Sequence, residues 1–183
     1  QRLAYDELLA SQLAIIMVRA TMKRAAGRIA TGDGRIERLL RDALPFALTA
    51  GQDQALAEIH KDMAAPERML RLLQGDVGSG KTVVGLLAMA RAVESGRQAA
   101  MMAPTEILAR QHFDRLKPLA EAGGMSIALL TGRDRPAERR ATLEGLASGA
   151  INLCVGTHAL FQEQVAFKDL ALSIVDEQHR FGV

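Results

Sequence analysis

Apolar residues recur along this chain at two spacings, and each spacing predicts a different kind of element. Apolar positions three to four residues apart predict a long helix from Arg2 to about Ala26. The same spacing predicts helices over residues 36–44, 50–63, 83–94, 106–122 and 136–147, and a helical turn over 158–162. Short continuous apolar runs predict strands over residues 69–74, 98–103, 126–130, 151–155 and 170–175.

The order of these elements predicts the architecture. Strands that alternate with helices are typical of an α/β domain, with a parallel sheet covered by helices on both faces. Pro45 ends a short amphipathic helix, and we place a domain boundary there. The chain is thus predicted to divide into a helical segment, residues 1–44, and an α/β domain, residues 45–183.

A glycine-rich stretch between the first strand and the next helix carries the main candidate chemistry. It matches G-x-x-x-x-G-K-[ST], the phosphate-binding loop, whose backbone N–H groups cradle phosphates. The lysine would contact the β- and γ-phosphates of a nucleotide, and the threonine hydroxyl would ligate Mg²⁺. A chance match in an ordinary glycine-rich turn is the alternative, and the flanking strand and helix argue against it. The predicted nucleotide-binding residues are Gly75, Gly78, Ser79, Gly80, Lys81 and Thr82.

Two acids follow the last predicted strand and complete the expected catalytic set. Asp176 would hold Mg²⁺, and Glu177 would act as the general base that orients the attacking water. Acid pairs are common on surfaces, so this prediction depends on the phosphate-binding loop. With Lys81, these acids form the predicted catalytic set.

Composition narrows the class of protein. About half of the 183 residues are apolar and 3% are aromatic, so a substantial aliphatic core is expected. A net charge of +2 is compatible with nucleic acid without requiring it. Cys154 is the single cysteine, which excludes an internal disulfide and a cysteine-based metal site. The sequence shows neither a signal peptide nor a membrane-spanning run, so a cytoplasmic protein is expected. Gln1 suggests that the chain begins inside a longer protein.

The motifs, in this order and spacing, resemble those of superfamily 2 helicases. The glycine loop resembles motif I, and Asp176-Glu177-Gln178-His179 is similar to motif II. Residues 103–112 resemble motif Ia, Thr131-Gly132 motif Ib and residues 155–160 motif Ic. Within the superfamily, the residues after motif II and the opening helix are similar to those of the RecG family of ATP-dependent DNA helicases.

The resemblance implies a RecA-like motor domain that uses ATP and Mg²⁺ to move on double-stranded DNA. It implies action on branched DNA, including forks and Holliday junctions, and a bacterial, nucleoid-associated protein. Gln52 stands where the family reads adenine, although an exposed helical glutamine is the plainer interpretation. DNA contact or coupling is implied for Pro104, Thr105, Arg110, Thr157, His158 and His179. Without the resemblance, Thr105 is best explained as a helix N-cap, and the two roles are compatible because a capped helix N-terminus can also bind phosphate.

The resemblance also implies missing parts and leaves alternatives. The chain stops shortly after motif II, so motif III, the second RecA-like domain and a preceding wedge domain would lie elsewhere in the polypeptide. We therefore expect the chain alone to be marginally stable and nearly inactive as an ATPase. A transcription-repair coupling factor is the nearest alternative. A small-molecule kinase and a non-catalytic DNA-binding module with this fold are the others.

Overall fold

The computed structural model describes residues 26–76 and 78–177. The helix predicted to begin at Arg2 lies outside these ranges except for Ala26, which forms an isolated antiparallel bridge with Glu67. His179 also lies outside them. No helix within the described ranges is long and apolar enough to cross a membrane.

Five α-helices and one 3-10 helix are present in the described part of the chain, and all lie within two residues of their predicted bounds. Thr49 caps the second helix through a capping box with Gln52, and Thr105 caps the fourth by accepting from the amide of Leu108. The helices are α1 (Arg35–Ala43), α2 (Ala50–Met63), α3 (Lys81–Glu94), α4 (Glu106–Ala122) and α5 (Pro136–Ser148), with the 3-10 helix at His158–Phe161.

The sheet has four parallel strands in the order β2-β3-β1-β4. The strands are β1 (Gln98–Met102), β2 (Ile127–Leu130), β3 (Leu153–Gly156) and β4 (Leu170–Val175). Consecutive strands are joined by α4, α5 and the segment that contains the 3-10 helix, as expected for crossover connections in a parallel sheet. The predicted α/β architecture is confirmed.

The strand predicted over residues 69–74 is wrong, because this segment is not part of the sheet. It has no regular secondary structure; Met69 and Leu73 pack against the core, whereas Leu70 and Leu72 are 53% and 63% exposed. A strand exists only where a neighbour completes its backbone hydrogen bonds, and no described strand lies beside this segment. The apolar pattern of the segment resembles that of a strand, but a local pattern does not supply the pairing partner.

Successive residues of each strand point to opposite faces of the sheet, and each face has its own core. Ala99 and Met101 belong to a large cluster with residues of α1, α2, α3 and α4. Ala100 and Met102 belong to a smaller cluster with α5 and the 3-10 helix. Helices therefore cover both faces, as predicted.

Helix α1 packs into the same core as the α/β domain. Ile36 and Leu40 are buried in the large cluster. The Glu94 carboxylate, at the end of α3, accepts hydrogen bonds from the backbone N–H groups of Gly34, Ile36 and Glu37 and so caps the start of α1. The boundary near residue 45 stays a prediction, although α1 and the α/β domain share this core.

Gln98 forms hydrogen bonds that join chain segments at the end of the sheet where the strands begin. This buried side chain donates from Nε2 to the carbonyls of Leu146 and Ile151, and its Oε1 accepts from the Asp169 amide. One amide thus binds the chain segments that lead into β3 and β4, and the strands start in a fixed register.

Candidate functional site

The carboxyl ends of the four strands lie level along one edge of the sheet. Met102 at the end of β1 pairs with both Gly156 and Val175, and Leu130 pairs with Gly156. Ligands bind at this edge in open α/β sheets. The segments beginning at Pro104, Thr131, Thr157 and Asp176 each follow one of these strands, so the fold brings their candidate residues to the same edge.

The glycine loop turns sharply before α3. A Cβ atom at Gly75 would lie 2.6 Å from the Ser79 hydroxyl, so a larger residue there would force the Ser79 side chain to move. Gly78 and Gly80 have φ angles of 83° and 79°, which strongly favour glycine. The loop that the sequence predicts therefore has backbone conformations that bulkier residues would disfavour.

Helix α3 begins without a side-chain cap, so its first N–H groups are available to an anion. Gly80 is the N-cap residue, and its carbonyl accepts the amides of Val83 and Val84. The N–H groups of the first turn and the helix dipole together favour negative charge at this position. Lys81 adds a full positive charge, and its Nζ lies 2.6 and 2.8 Å from the carbonyl oxygens of Gly75 and Asp76.

Gln52 contacts the loop directly. Its Oε1 accepts from the Thr49 amide at 2.8 Å, and its Nε2 donates to the Ser79 carbonyl at 2.8 Å. The side chain thus completes the α2 cap and holds the glycine loop against α2. Its predicted contact with adenine stays a prediction.

Asp176 and Glu177 follow β4 at the same edge. The Asp176 amide donates to the Met102 carbonyl at 2.8 Å, which extends the β1–β4 pairing and fixes the start of the acid pair. Glu177 has a φ of 50° and is the one non-glycine residue in the described ranges with a positive φ. Such a conformation costs on the order of 1 kcal/mol and tends to occur where function requires it.

The residues present fit a magnesium–nucleotide complex. No group of three or more acidic, histidine or cysteine side chains in the described ranges could form a metal cage. The Thr82 hydroxyl and the Asp176 carboxylate would instead supply the few oxygen ligands typical of Mg²⁺ bound through phosphates. The first turns of α3 approach the end of β4, because a Cβ at Gly85 would lie 3.2 Å from Ile174 Cδ1.

One residue at this site did not appear among the predicted functional residues. His112 Nε2, on α4, lies 2.7 Å from Asp176 Oδ2. His112 lies on the buried stripe formed by Ala109, Leu116 and Ala120. A polar residue within an apolar helical stripe was the signal that could have identified it.

The residues predicted to contact DNA differ in their exposure. Thr105, Arg110 and His158 are exposed along the same edge, and Pro104 is half-buried. Thr157 is 2% exposed, and its hydroxyl accepts from the Ala159 amide at the start of the 3-10 helix. Its hydroxyl therefore fixes the backbone beneath the surface, and the exposed group at this strand end is His158. These DNA contacts stay predictions.

A polar cavity of about 250 Å³ lies beside these residues. Three arginines line it together with two acids, so it is basic on balance; its lining is Arg110, Leu129, Arg133, Asp134, Arg135, Glu138 and Thr142. Thr131 is fixed next to it, since its amide and hydroxyl both donate to the Asp134 carboxylate at 2.6 Å.

Comparisons with known proteins agree with this geometry. Residues 49–183 match the family model described as DEAD/DEAH box helicase. The chain is 49% identical over 185 residues to ATP-dependent DNA helicase RecG of Bacillus subtilis and 46% identical over 183 residues to that of Escherichia coli K12. All of the chain is covered in both cases, but it spans only 27% and 26% of those proteins.

Solved structures of helicases have a fold similar to that of this chain. A structure of RecG bound to a three-way DNA junction superposes with a TM-score of 0.86 at 45% identity, covering 99% of this chain and 25% of that one. A hypothetical ATP-dependent RNA helicase from Sulfolobus tokodaii superposes with a TM-score of 0.59 at 17% identity, covering 80% of this chain and 42% of that one. The second likeness concerns the fold alone.

Proposed function

Because the chain belongs to the DEAD/DEAH box helicase family, we propose that it is part of an ATP-driven motor that moves on double-stranded DNA and remodels branched DNA. Fork regression and junction branch migration are the reactions we expect of the whole polypeptide. The observation that carries the proposal is the identity to RecG helicases, 46% over the full chain for the Escherichia coli protein. Because the chain spans about a quarter of such relatives, the activity is proposed for the longer protein.

The nucleotide site supports this function residue by residue. The glycine loop and the first N–H groups of α3 would surround the phosphates of ATP. Lys81 would leave the loop carbonyls that it contacts and bind the β- and γ-phosphates. Mg²⁺, held by the Thr82 hydroxyl and Asp176, would neutralise charge on the phosphates. Glu177 would accept a proton from the attacking water.

The DNA would contact the same edge. Pro104 and Thr105 at the start of α4, with Arg110 one turn further on, would contact the phosphate backbone together with His158. Backbone contacts of this kind carry no sequence information, which suits a motor that must pass over any sequence. His179 would add coupling between ATP and DNA. The remaining partners would be the wedge domain and the second RecA-like domain of the same polypeptide, acting in the bacterial cytoplasm on the nucleoid.

The alternatives have less support. The relatives reported above are RecG helicases, which does not favour a transcription-repair coupling factor. A small-molecule kinase would not explain the exposed basic and threonine side chains along the strand ends. A purely DNA-binding module would not need Lys81 and Glu177.

The test is ATP turnover with forked, linear and no DNA, measured on the longest natural polypeptide that carries this chain. We expect forked DNA to stimulate turnover most strongly. Lys81→Ala removes the cation that binds the phosphates and should abolish turnover with little loss of fork binding. Lys61→Ala, at an exposed position on α2, is the matched control and should retain full activity. Turnover that survives Lys81→Ala would overturn the site assignment.

A further inference from the structure

His112 is a buried polar residue, and apolar packing does not explain its hydrogen bond to Asp176. It is 9% exposed, and the other buried residues of its helix are Ala109, Leu116 and Ala120. A polar group in such a position is costly unless it is hydrogen-bonded. The described hydrogen bond of its side chain joins Nε2 to Asp176 Oδ2 at 2.7 Å.

The chemistry of the pair fixes the direction of this bond. An ionised carboxylate only accepts hydrogen bonds, so Nε2 carries the hydrogen and donates it. The other ring nitrogen, Nδ1, is buried and has no hydrogen-bond partner among the described residues. Asp176 is therefore the group that orients this imidazole, and the imidazole in turn holds one carboxylate oxygen of Asp176.

We propose that His112 is a positioning residue, which holds the Asp176 carboxylate in the orientation needed to bind Mg²⁺ and links that carboxylate to α4. The proposal rests on the proposed ATP-hydrolysing function and deepens it. The Asp176 backbone is already fixed by its bond to Met102, which leaves rotation of the side chain as the remaining freedom. A bond from a neighbouring group to one oxygen restricts that rotation, as outer partners of metal ligands commonly do.

Helix α4 gives this bond a second consequence. The helix begins at Glu106, beside Pro104 and Thr105, and His112 lies about 10 Å along its axis from Thr105 at a rise of 1.5 Å per residue. A displacement of α4 by DNA at its N-terminal end would move the imidazole and reorient the carboxylate. The effect is reciprocal: the factor by which DNA would change the affinity for metal and nucleotide is also the factor by which metal and nucleotide would change the affinity for DNA.

Two substitutions separate positioning from plain burial. His112→Gln carries an N–H group to about the reach of Nε2 and can still donate to Asp176. His112→Asn is also polar and buried, but its amide nitrogen reaches only to about the place of Nδ1. His112→Leu removes the donor altogether. The control is His60→Leu on α2, since His60 is a largely buried histidine, 16% exposed in its side chain, and lies near Glu37 rather than the acid pair.

The readout is Mn²⁺ affinity in the presence of ADP, measured by electron paramagnetic resonance on the longest natural polypeptide that carries the chain. We expect His112→Leu and His112→Asn to weaken Mn²⁺ binding roughly 10- to 100-fold. We expect His112→Gln to recover most of that loss and His60→Leu to bind as the unsubstituted protein does. Where His112→Leu fails to fold, the comparison of His112→Asn with His112→Gln carries the test.

A second measurement tests the link to DNA. Fork stimulation of ATP turnover should fall in His112→Asn and return in His112→Gln, with fork affinity in the absence of nucleotide unchanged in both. Equal Mn²⁺ affinity in His112→Asn and His112→Gln overturns the proposal, as does an equal loss in His60→Leu. The proposed function fails separately, if the unsubstituted protein shows neither Mn²⁺·ADP binding nor DNA-stimulated turnover.

Discussion

The proposed nucleotide site has two walls that are held in different ways: the acid wall, which carries Asp176 and Glu177, and the loop wall, residues 69–76 and 78–80. On one wall, Asp176 continues a strand, and its amide is bound to the backbone of β1. On the other wall, residues 69–76 and 78–80 precede α3 outside the sheet, and side chains hold them in place. Gln52 binds the Ser79 carbonyl, and Arg71 forms ion pairs with Glu58 and Asp62 on α2.

This difference predicts how each wall responds to change. A backbone ladder is cooperative, so the backbone of the acid wall should move only when the sheet core is damaged, although the Asp176 side chain can still rotate. Side-chain bonds at exposed positions are each worth about 1 kcal/mol or less, so the loop wall should loosen locally while the fold persists.

The largest expected effect is chemical and falls on the acid wall. Glu177→Gln removes the proposed general base but keeps the size of the side chain, so ATP turnover should fall roughly 10²- to 10⁴-fold. Nucleotide affinity should change little. Steady-state turnover and ADP binding are the measurements, with Glu163→Gln at an exposed position as the control. Full turnover in Glu177→Gln would assign the base elsewhere.

A second prediction contrasts leucines from the two structural settings. Leu153 in β3 is fully buried, so Leu153→Ala should lower the free energy of unfolding by about 2–5 kcal/mol. Leu72, in the segment over residues 69–74, is 63% exposed, so Leu72→Ala should change the free energy of unfolding by about 0.5 kcal/mol or less. Urea unfolding of the 183-residue chain measures both. Equal losses would mean that the segment is as firmly held as the sheet.

A third prediction isolates the bond between Gln52 and the loop. Gln52→Glu keeps an oxygen for the Thr49 amide but loses the donor to Ser79. Backbone amides of residues 75–80 should then exchange with deuterium about two- to tenfold faster, which corresponds to the loss of one hydrogen bond. Gln54→Glu, with the same charge change at an exposed position of α2, should leave the loop unchanged.

The smallest expected effect concerns pH and lies away from both walls. Burial lowers the pKa of His60 below its usual 6.5 despite the nearby Glu37 carboxylate. Below pH 6.5 the unfolded chain therefore binds a proton that the folded chain resists, and stability falls as the pH decreases. His60→Gln should lose less stability than the unsubstituted chain between pH 7.5 and 5.5, by urea unfolding at each pH. Equal losses of stability in His60→Gln and in the unsubstituted chain over this pH range would contradict the prediction.

Local signals explain which elements the sequence could predict. Thr49 and Thr105 mark the starts of α2 and α4 because each cap is made by residues three positions apart. The apolar run of β4 was equally clear. The segment over residues 69–74 has the same kind of pattern, but a strand also needs a partner, and local pattern contains no information about that partner.

The same limit applies to the site. The glycine loop and the acid pair are contiguous motifs, so their residue types alone indicated phosphate and metal chemistry. The bond between His112 and Asp176 joins positions 64 apart, and that between Gln52 and Ser79 joins positions 27 apart. Such contacts depend on how α4 and α2 pack, which only the folded structure contains.

The two ends of the sheet differ in how their polar groups are hydrogen-bonded, and Gln98 is part of the reason. At the end where the strands begin, its amide donates to the carbonyls of Leu146 and Ile151 and accepts from the Asp169 amide, so it joins segments of the chain to one another. At the opposite end, the backbone N–H groups in the first turn of α3 have no side-chain cap among the described residues. The two ends of the parallel sheet therefore differ: side-chain hydrogen bonds join chain segments at one end, and the uncapped helix start lies at the other, where we propose that the phosphates bind.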